Sequence, residues 1–177
     1  MNIAIIMAPR GFQDREFSVP YAYFTSKGYT VDVYSTKKGI AVGVFGKTFD
    51  VRHELSELDV NRYDAIVFIG GPGTPIVRAD QLSEKIAVQA NNSGKLIGAI
   101  CWSPTILAKA GLLNGKKATV WYGEDNDFGM MTSKYLEEKG ATYTGEDVTI
   151  DGNIITANGP SAAEAYAEAL WKKLSEQ

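Results

Sequence analysis

Short apolar runs rich in β-branched residues alternate along this chain with stretches whose apolar positions recur at helical spacing. Ile3 to Ala8, closed by the breakers Pro9 and Gly11, predicts a buried strand. Phe17, Tyr21 and Phe24 follow at i, i+4 and i+7, a helix stripe that ends at Gly28, with Pro20 tolerated in or near the first turn. Thr30 to Ser35 alternates as a second strand, and Gly39 to Val51 is an excursion with β character. Ala65 to Ile69 is continuously apolar, as in a central strand buried on both faces. A helix from about Asp80 to Asn92 carries Leu82, Ile86, Ala87 and Ala90 and stops at Gly94. Leu96 to Ile100 is the next strand. Ser103-Pro104 then opens a helix, with Ser as cap and Pro at the first helical position. Ala118 to Trp121 reads as a fifth strand, and a helix around Gly129 to Lys139 ends at Gly140. Val148 to Ile150 and Ile154 to Thr156 flank Asp151-Gly152-Asn153, a hairpin signal. The last helix has a capping box, Ser161 to Glu164, and a stripe of Tyr166, Ala167, Leu170 and Leu174. The alternation predicts one domain over residues 1–177, a three-layer α/β/α sandwich on a mostly parallel sheet.

Composition narrows the function classes. Of 177 residues, 45% are hydrophobic and 22% charged, which excludes disordered and collagen-like chains. The formal net charge is −3 and no basic face is visible, so nucleic acid is not an expected partner. No apolar run approaches the roughly 18 residues of a membrane span. The start, Met1 to Met7, has no basic region before its apolar run, so the expected location is the cytoplasm. A single cysteine, Cys101, rules out an intrachain disulfide framework.

In open α/β sheets the ligand site lies beyond the carboxyl ends of the strands. The residues following the central strands are therefore the candidates: Pro9 to Glu16, Gly70 to Pro75, Cys101 to Pro104, and Tyr122 to Asp125. A carboxylate, a glycine-rich turn and the sole cysteine converge on one rim. At a sharp strand–turn–helix corner Cys101 would be pushed into solvent, and the helix N-terminus would favour its thiolate. The backbone N–H groups of Trp102 and Gly71 would then form a two-donor oxyanion hole. The competing assignment is a buried structural thiol. Glu16, at the start of the first helix, either exchanges a proton with the sulfur or is simply an acid favoured by the helix dipole. Gly70 to Pro75 lacks the Gly-Lys-Ser/Thr ending of a phosphate loop and reads as a tight turn. Glu124, Asp125 and Asp127 read as helix caps rather than a metal site. His53, the only histidine, lies in the excursion beside Arg52 and Glu54 as a solvated loop residue rather than a catalytic base. No metal or organic cofactor is implied.

Several of these segments, in order and spacing, resemble the ThiJ/PfpI superfamily, which includes PfpI-type intracellular peptidases and the Parkinson-disease protein deglycase. They are Gly11 to Glu16 with Pro20, Ile69 to Gly73, Gly98 to Pro104, Ala110 to Thr119 and Asp151 to Thr156. The resemblance covers nearly the whole chain. It implies a flavodoxin-like fold, homodimers or higher homo-oligomers, a nucleophile at Cys101 partnered by Glu16, and oxyanion donors at Gly71 and Trp102. Gly70 and Trp121 would line the pocket. Peptidase-like members carry His directly after the Cys and borrow an acid from a neighbouring subunit. Here Trp102 follows Cys101, and Thr74-Pro75-Ile76 holds no acid. The deglycase branch has a histidine at the end of the next strand, where this chain has Trp121. The two tryptophans imply a narrower, more apolar pocket.

Three functions compete. A Cys–Glu enzyme would hydrolyse or hydrate small electrophilic carbonyl-type substrates, such as glyoxal-type aldehydes and their protein adducts, or nitrile-like carbon as in isonitrile hydratases. An oxidative-stress sensor or chaperone would use the same thiol without turnover. A degenerate structural member would keep it inert.

Overall fold

A computed structural model describes residues 1–176. Along the chain, β1 (Asn2–Ile6) leads through β2 (Arg10–Phe12) into α1 (Asp14–Ser26) and β3 (Thr30–Ser35). The excursion is a hairpin of β4 (Gly39–Gly43) and β5 (Thr48–Val51), followed by β6 (His53–Glu54). The middle of the chain is β7 (Ala65–Phe68), α2 (Thr74–Ala79), α3 (Gln81–Asn92), β8 (Leu96–Ile100) and α4 (Pro104–Lys109). A peripheral stretch holds β9 (Lys117–Ala118), β10 (Glu124–Asp125), β11 (Met130–Met131), α5 (Thr132–Glu138) and β12 (Thr142–Tyr143). The chain closes with β13 (Val148–Asp151), β14 (Ile154–Ala157) and α6 (Ala163–Ser175).

The main sheet runs in the order β13-β14-β8-β7-β1-β3-β6, parallel throughout except for the β13–β14 hairpin. The continuous apolar runs are explained by the period of two along a strand. Ala4, Ile6, Ile66, Phe68, Ile97 and Ala99 enter one buried cluster with α3, α4 and α5. Ile3, Ile5, Val67, Leu96, Ile100 and Ile155 enter the other, with Phe17 and Phe24 of α1 and Tyr166, Leu170 and Leu174 of α6. Helices therefore cover both faces of a mostly parallel sheet, the three-layer sandwich that the alternation predicts.

Several local expectations are corrected. Ala118 to Trp121 is not a strand of the main sheet: only Lys117–Ala118 pairs, with β12, and the parallel strand that follows β8 is β14. Thr119 N–H instead donates to Thr156 Oγ1, and Trp121 N–H to the Cys101 carbonyl, so this stretch is stitched over the end of β8. Pro20 lies past the first turn of α1, inside the helix, where it leaves the Glu16 carbonyl without an i+4 donor. The Ser161–Glu164 capping box does not form: a 3-10 turn, Pro160–Ala162, precedes α6, and Glu164 pairs with Arg15 of α1. The helix placed from Gly129 begins at Thr132, because Met130–Met131 pairs with β10. The turn expected after Gly70 continues into α2.

Candidate functional site

The site is built where β1, β7 and β8 end, from two loops that interlock because they are rich in glycine. Gln13 N–H donates to the Gly70 carbonyl at 2.9 Å, and Gly73 N–H to the Gly11 carbonyl at 2.9 Å. A Cβ on Gly71 would lie 2.6 Å from both Gln13 N and Gly11 O, and Gly71 has φ of 110°. The Gly70-Gly71-Pro72-Gly73 run thus allows two backbones to touch. Gln13 also caps α1, its Oε1 accepting from Arg15 and Glu16 N–H at 2.7 and 3.0 Å. That cap holds Glu16 in the first helical turn, with its carboxylate aimed inward.

Glu16 is fully buried. Its Oε2 accepts from Gly70 N–H at 3.0 Å, while Oε1 is buried with no partner. A Cβ on Gly70 would lie 2.6 Å from Cys101 Cβ and 2.8 Å from Glu16 Oε2, so the carboxyl and the Cys101 side chain meet over Gly70. Cys101 stands at the end of β8 and is the one non-glycine residue, among those described, with positive φ, at 63°. A left-handed L-residue stores about 1–2 kcal/mol and is held there only by its surroundings. The strain turns the chain sharply from β8 into α4 and leaves Sγ beside the Gly71 and Trp102 N–H groups, whose proximity favours the thiolate. Ser103 does not cap α4. Its hydroxyl accepts from Ile100 N–H at 2.9 Å and lies 2.9 and 2.8 Å from the Phe68 and Ile100 carbonyls, joining the ends of β7 and β8. Pro104 does occupy the first helical position.

The corner does not lift the thiol into solvent, as the sequence led us to expect: Cys101 is only 6% exposed. Burial pushes its pKa up, an ionised Glu16 pushes it further, and the two N–H donors only partly offset this. Burial also pushes Glu16 up to about 8, against the hydrogen bonds from Cys101 and Gly70. The two groups titrate as a coupled pair. Near neutral pH Glu16 keeps its proton, which removes the like charge facing the sulfur and leaves a carboxyl able to donate to a thiolate.

The remaining candidates fall in three places. Trp102 and Trp121, both half-buried, stack with centroids 5.0 Å apart and planes tilted by 33°. Gly123 gives the Trp121 ring its space, since a Cβ there would overlap the ring. Asp125 is not a helix cap. It is 1% exposed and paired with Arg78 of α2, itself 4% exposed, with Nη1–Oδ2 and Nη2–Oδ1 at 2.7 and 3.2 Å. The exposed Asp127 joins the outer side of Arg78 at 3.0 Å. His53 is exposed on β6 at the far edge of the sheet, its ring tilted by 35° against that of Tyr34, rather than in a loop. No cluster of three His, Cys, Asp or Glu able to hold a metal occurs among the described residues, and no described helix is long and apolar enough to cross a membrane.

Sequence reasoning missed Gln13, Ser103 and Arg78 as supports of this site. Gln13 is a rare capping residue. Arg78 lies between the turn read over Gly70 to Pro75 and the helix read from about Asp80, with no carboxylate at helical spacing to mark its partner.

The sequence profile of the DJ-1/PfpI family matches residues 1–173. An uncharacterized protein of Methanocaldococcus jannaschii is 35% identical over 175 residues, 98% of this chain and 82% of its own length. Deglycase PfpI of Pyrococcus furiosus is 28% identical over 170 residues, 96% of this chain and 98% of its own. Among solved structures, the ThiJ/PfpI domain protein from Brachyspira murdochii superposes with a TM-score of 0.91 at 30% identity, covering 99% of this chain and 97% of that one.

Proposed function

Because the chain belongs to the DJ-1/PfpI family, we propose that it is a cysteine-dependent enzyme acting on small electrophilic carbonyl compounds or their protein adducts, as the deglycase names of its relatives suggest. The observation that carries this is the fully buried Glu16 carboxyl meeting, over Gly70, the side chain of a Cys101 held at positive φ. Cys101 Sγ adds to the carbonyl carbon. The C=O electron pair moves onto oxygen beside the Gly71 and Trp102 N–H groups, and Glu16 supplies the proton that this oxygen takes up. The S–H proton passes to Glu16 in exchange, so the adduct is a neutral hemithioacetal. In a 1,2-dicarbonyl the hydrogen on its C1 then moves as a proton to C2, giving the thioester of a 2-hydroxy acid, and water cleaves that thioester, releasing the acid and restoring the thiol. A Cys–His–Glu peptidase mechanism lacks its histidine, since Trp102 holds that position and His53 is remote in the fold.

The chain would work as one unit, assembled as a homo-oligomer. Ile40, Val42 and Val44 alternate as exposed apolar side chains along β4 and just beyond, and Phe45 at the turn is 79% exposed, which supports burial against another copy.

The test is turnover of methylglyoxal and of a methylglyoxal-modified peptide by the wild type, Cys101→Ser and Glu16→Gln. Turnover abolished by Cys101→Ser and cut at least about a hundredfold by Glu16→Gln is expected. No turnover by the wild type refutes the enzyme. A second reading is favoured by the lack of a histidine beside Cys101, where Trp102 and Trp121 stand instead. Dilute peroxide would take Cys101 to a sulfinic acid held by Glu16, each of two peroxides adding one oxygen to sulfur and leaving as water. Selective oxidation with no turnover would establish that alternative.

A further inference from the structure

Trp102 is gripped on three sides. Its backbone N–H faces the Cys101 sulfur. Its carbonyl accepts from Thr105 Oγ1 at 2.7 Å. Its indole Nε1–H donates to Asp125 Oδ2 at 2.6 Å. Arg78 closes the circuit, donating from Nη1 to both Asp125 Oδ2 (2.7 Å) and Thr105 Oγ1 (2.9 Å). The guanidinium is clamped from outside, 4.1 Å from the Phe128 ring centroid, and its backbone carbonyl accepts from Lys109 Nζ at 3.1 Å. Arg78, Asp125 and Thr105 are all buried. A buried ion pair is weak support for stability, because desolvating two charges costs about what their attraction returns. A fork that reaches two partners at once does fix geometry.

We propose that Arg78 and Asp125 are positioning residues for Trp102, setting both its N–H toward the sulfur and its indole as one wall against Trp121, a role that presupposes the thiol chemistry proposed above. Trp102 thereby takes no part in proton transfer. With its only side-chain donor spent on Asp125, it presents an apolar aromatic face. The substrate class that fits beside it is a carbonyl compound bearing a flat apolar or aromatic substituent rather than a charged one.

Two variants separate this from a purely structural salt bridge. Arg78→Lys keeps the charge and loses the fork. Trp102→Phe keeps the ion pair and loses only the indole tether. Each is measured by thermal melting, by the rate of Cys101 alkylation with iodoacetamide, and by circular dichroism, where two stacked indoles give an exciton couplet. In Arg78→Lys the couplet is lost. In both variants alkylation slows about tenfold, a fraction of the hundredfold that outright loss of an oxyanion donor costs. Preference for phenylglyoxal over methylglyoxal falls in Trp102→Phe. Wild-type alkylation rate in Trp102→Phe, or an intact couplet in folded Arg78→Lys, overturns the positioning role. Should Arg78→Lys not fold, Trp102→Phe decides alone. An unreactive wild-type thiol would instead sink the catalytic reading, while the couplet would still report on the wall.

Discussion

Replacing Gly70 with alanine adds one methyl group at the point where the two halves of the site meet. Gly70 does not have positive φ, so alanine is not barred by the backbone. The obstacle is space. The new Cβ would stand 2.5 Å from the Ile100 carbonyl oxygen, 2.6 Å from Cys101 Cβ and 2.8 Å from Glu16 Oε2. The first is main chain in a central strand and the second is fixed by the strained φ of Cys101, so Glu16 is the group that can give. Its carboxylate must leave Gly70 N–H and retreat from the sulfur. Overpacking of this kind costs about 2–3 kcal/mol. For a chain of this length that is a fall in melting temperature of about 5–10 °C. The functional loss should exceed the structural one, because the carboxyl displaced is the one that meets the Cys101 side chain over Gly70. Melting followed by circular dichroism, with iodoacetamide alkylation of Cys101 as the single thiol, measures both. A Gly70→Ala protein that melts within a degree or so of wild type and alkylates at the wild-type rate would refute the packing argument.

Stability should depend on pH through Glu16. Its carboxyl titrates near 8 when folded and near 4.5 when unfolded, so the folded state holds a proton that the unfolded state releases. The contribution is fully present below pH 4.5 and is lost as pH rises through 8, about 5 kcal/mol at most across that window. Urea titrations of wild type and Glu16→Gln across the same range should diverge, the wild type falling and the variant staying flatter; parallel curves would contradict the burial of the charge. Gly123→Ala forces the Trp121 ring aside, and a ring can swing. The expected cost in stability is small, about 1 kcal/mol, yet the Trp102–Trp121 couplet should vanish; an unchanged couplet would show that the ring is not held by the missing side chain.

The sequence made the sandwich legible because its strands are short, continuously apolar and separated by helices whose stripes end in glycine. The same logic put Cys101, Glu16 and the Gly70–Gly73 turn on one rim, since only strand order and strand polarity are needed for that. It failed where the deciding interaction is long-range. Lys117–Ala118 is a strand only because Thr142–Tyr143 lies beside it. Asp125 is buried only because Arg78, 47 positions away, supplies the counter-charge. The exposure and acidity expected of Cys101 failed for a related reason. A helix N-terminus is a local feature that a sequence can display, whereas desolvation by packed neighbours is not.

The hydroxyl of Ser103 has a single proton, and it sits between the ends of two strands that each carry one of the sulfur-facing N–H groups a few residues further on. Gly71 belongs to the loop after β7 and Trp102 to the turn after β8, so no stretch of continuous chain sets the gap between them. That gap is a span between two independent anchors, and Ser103 is the rivet that keeps the anchors in register. The distance between those two N–H groups is then a mechanical dimension of the sheet edge rather than a property of either loop, and it can be altered without touching either of them.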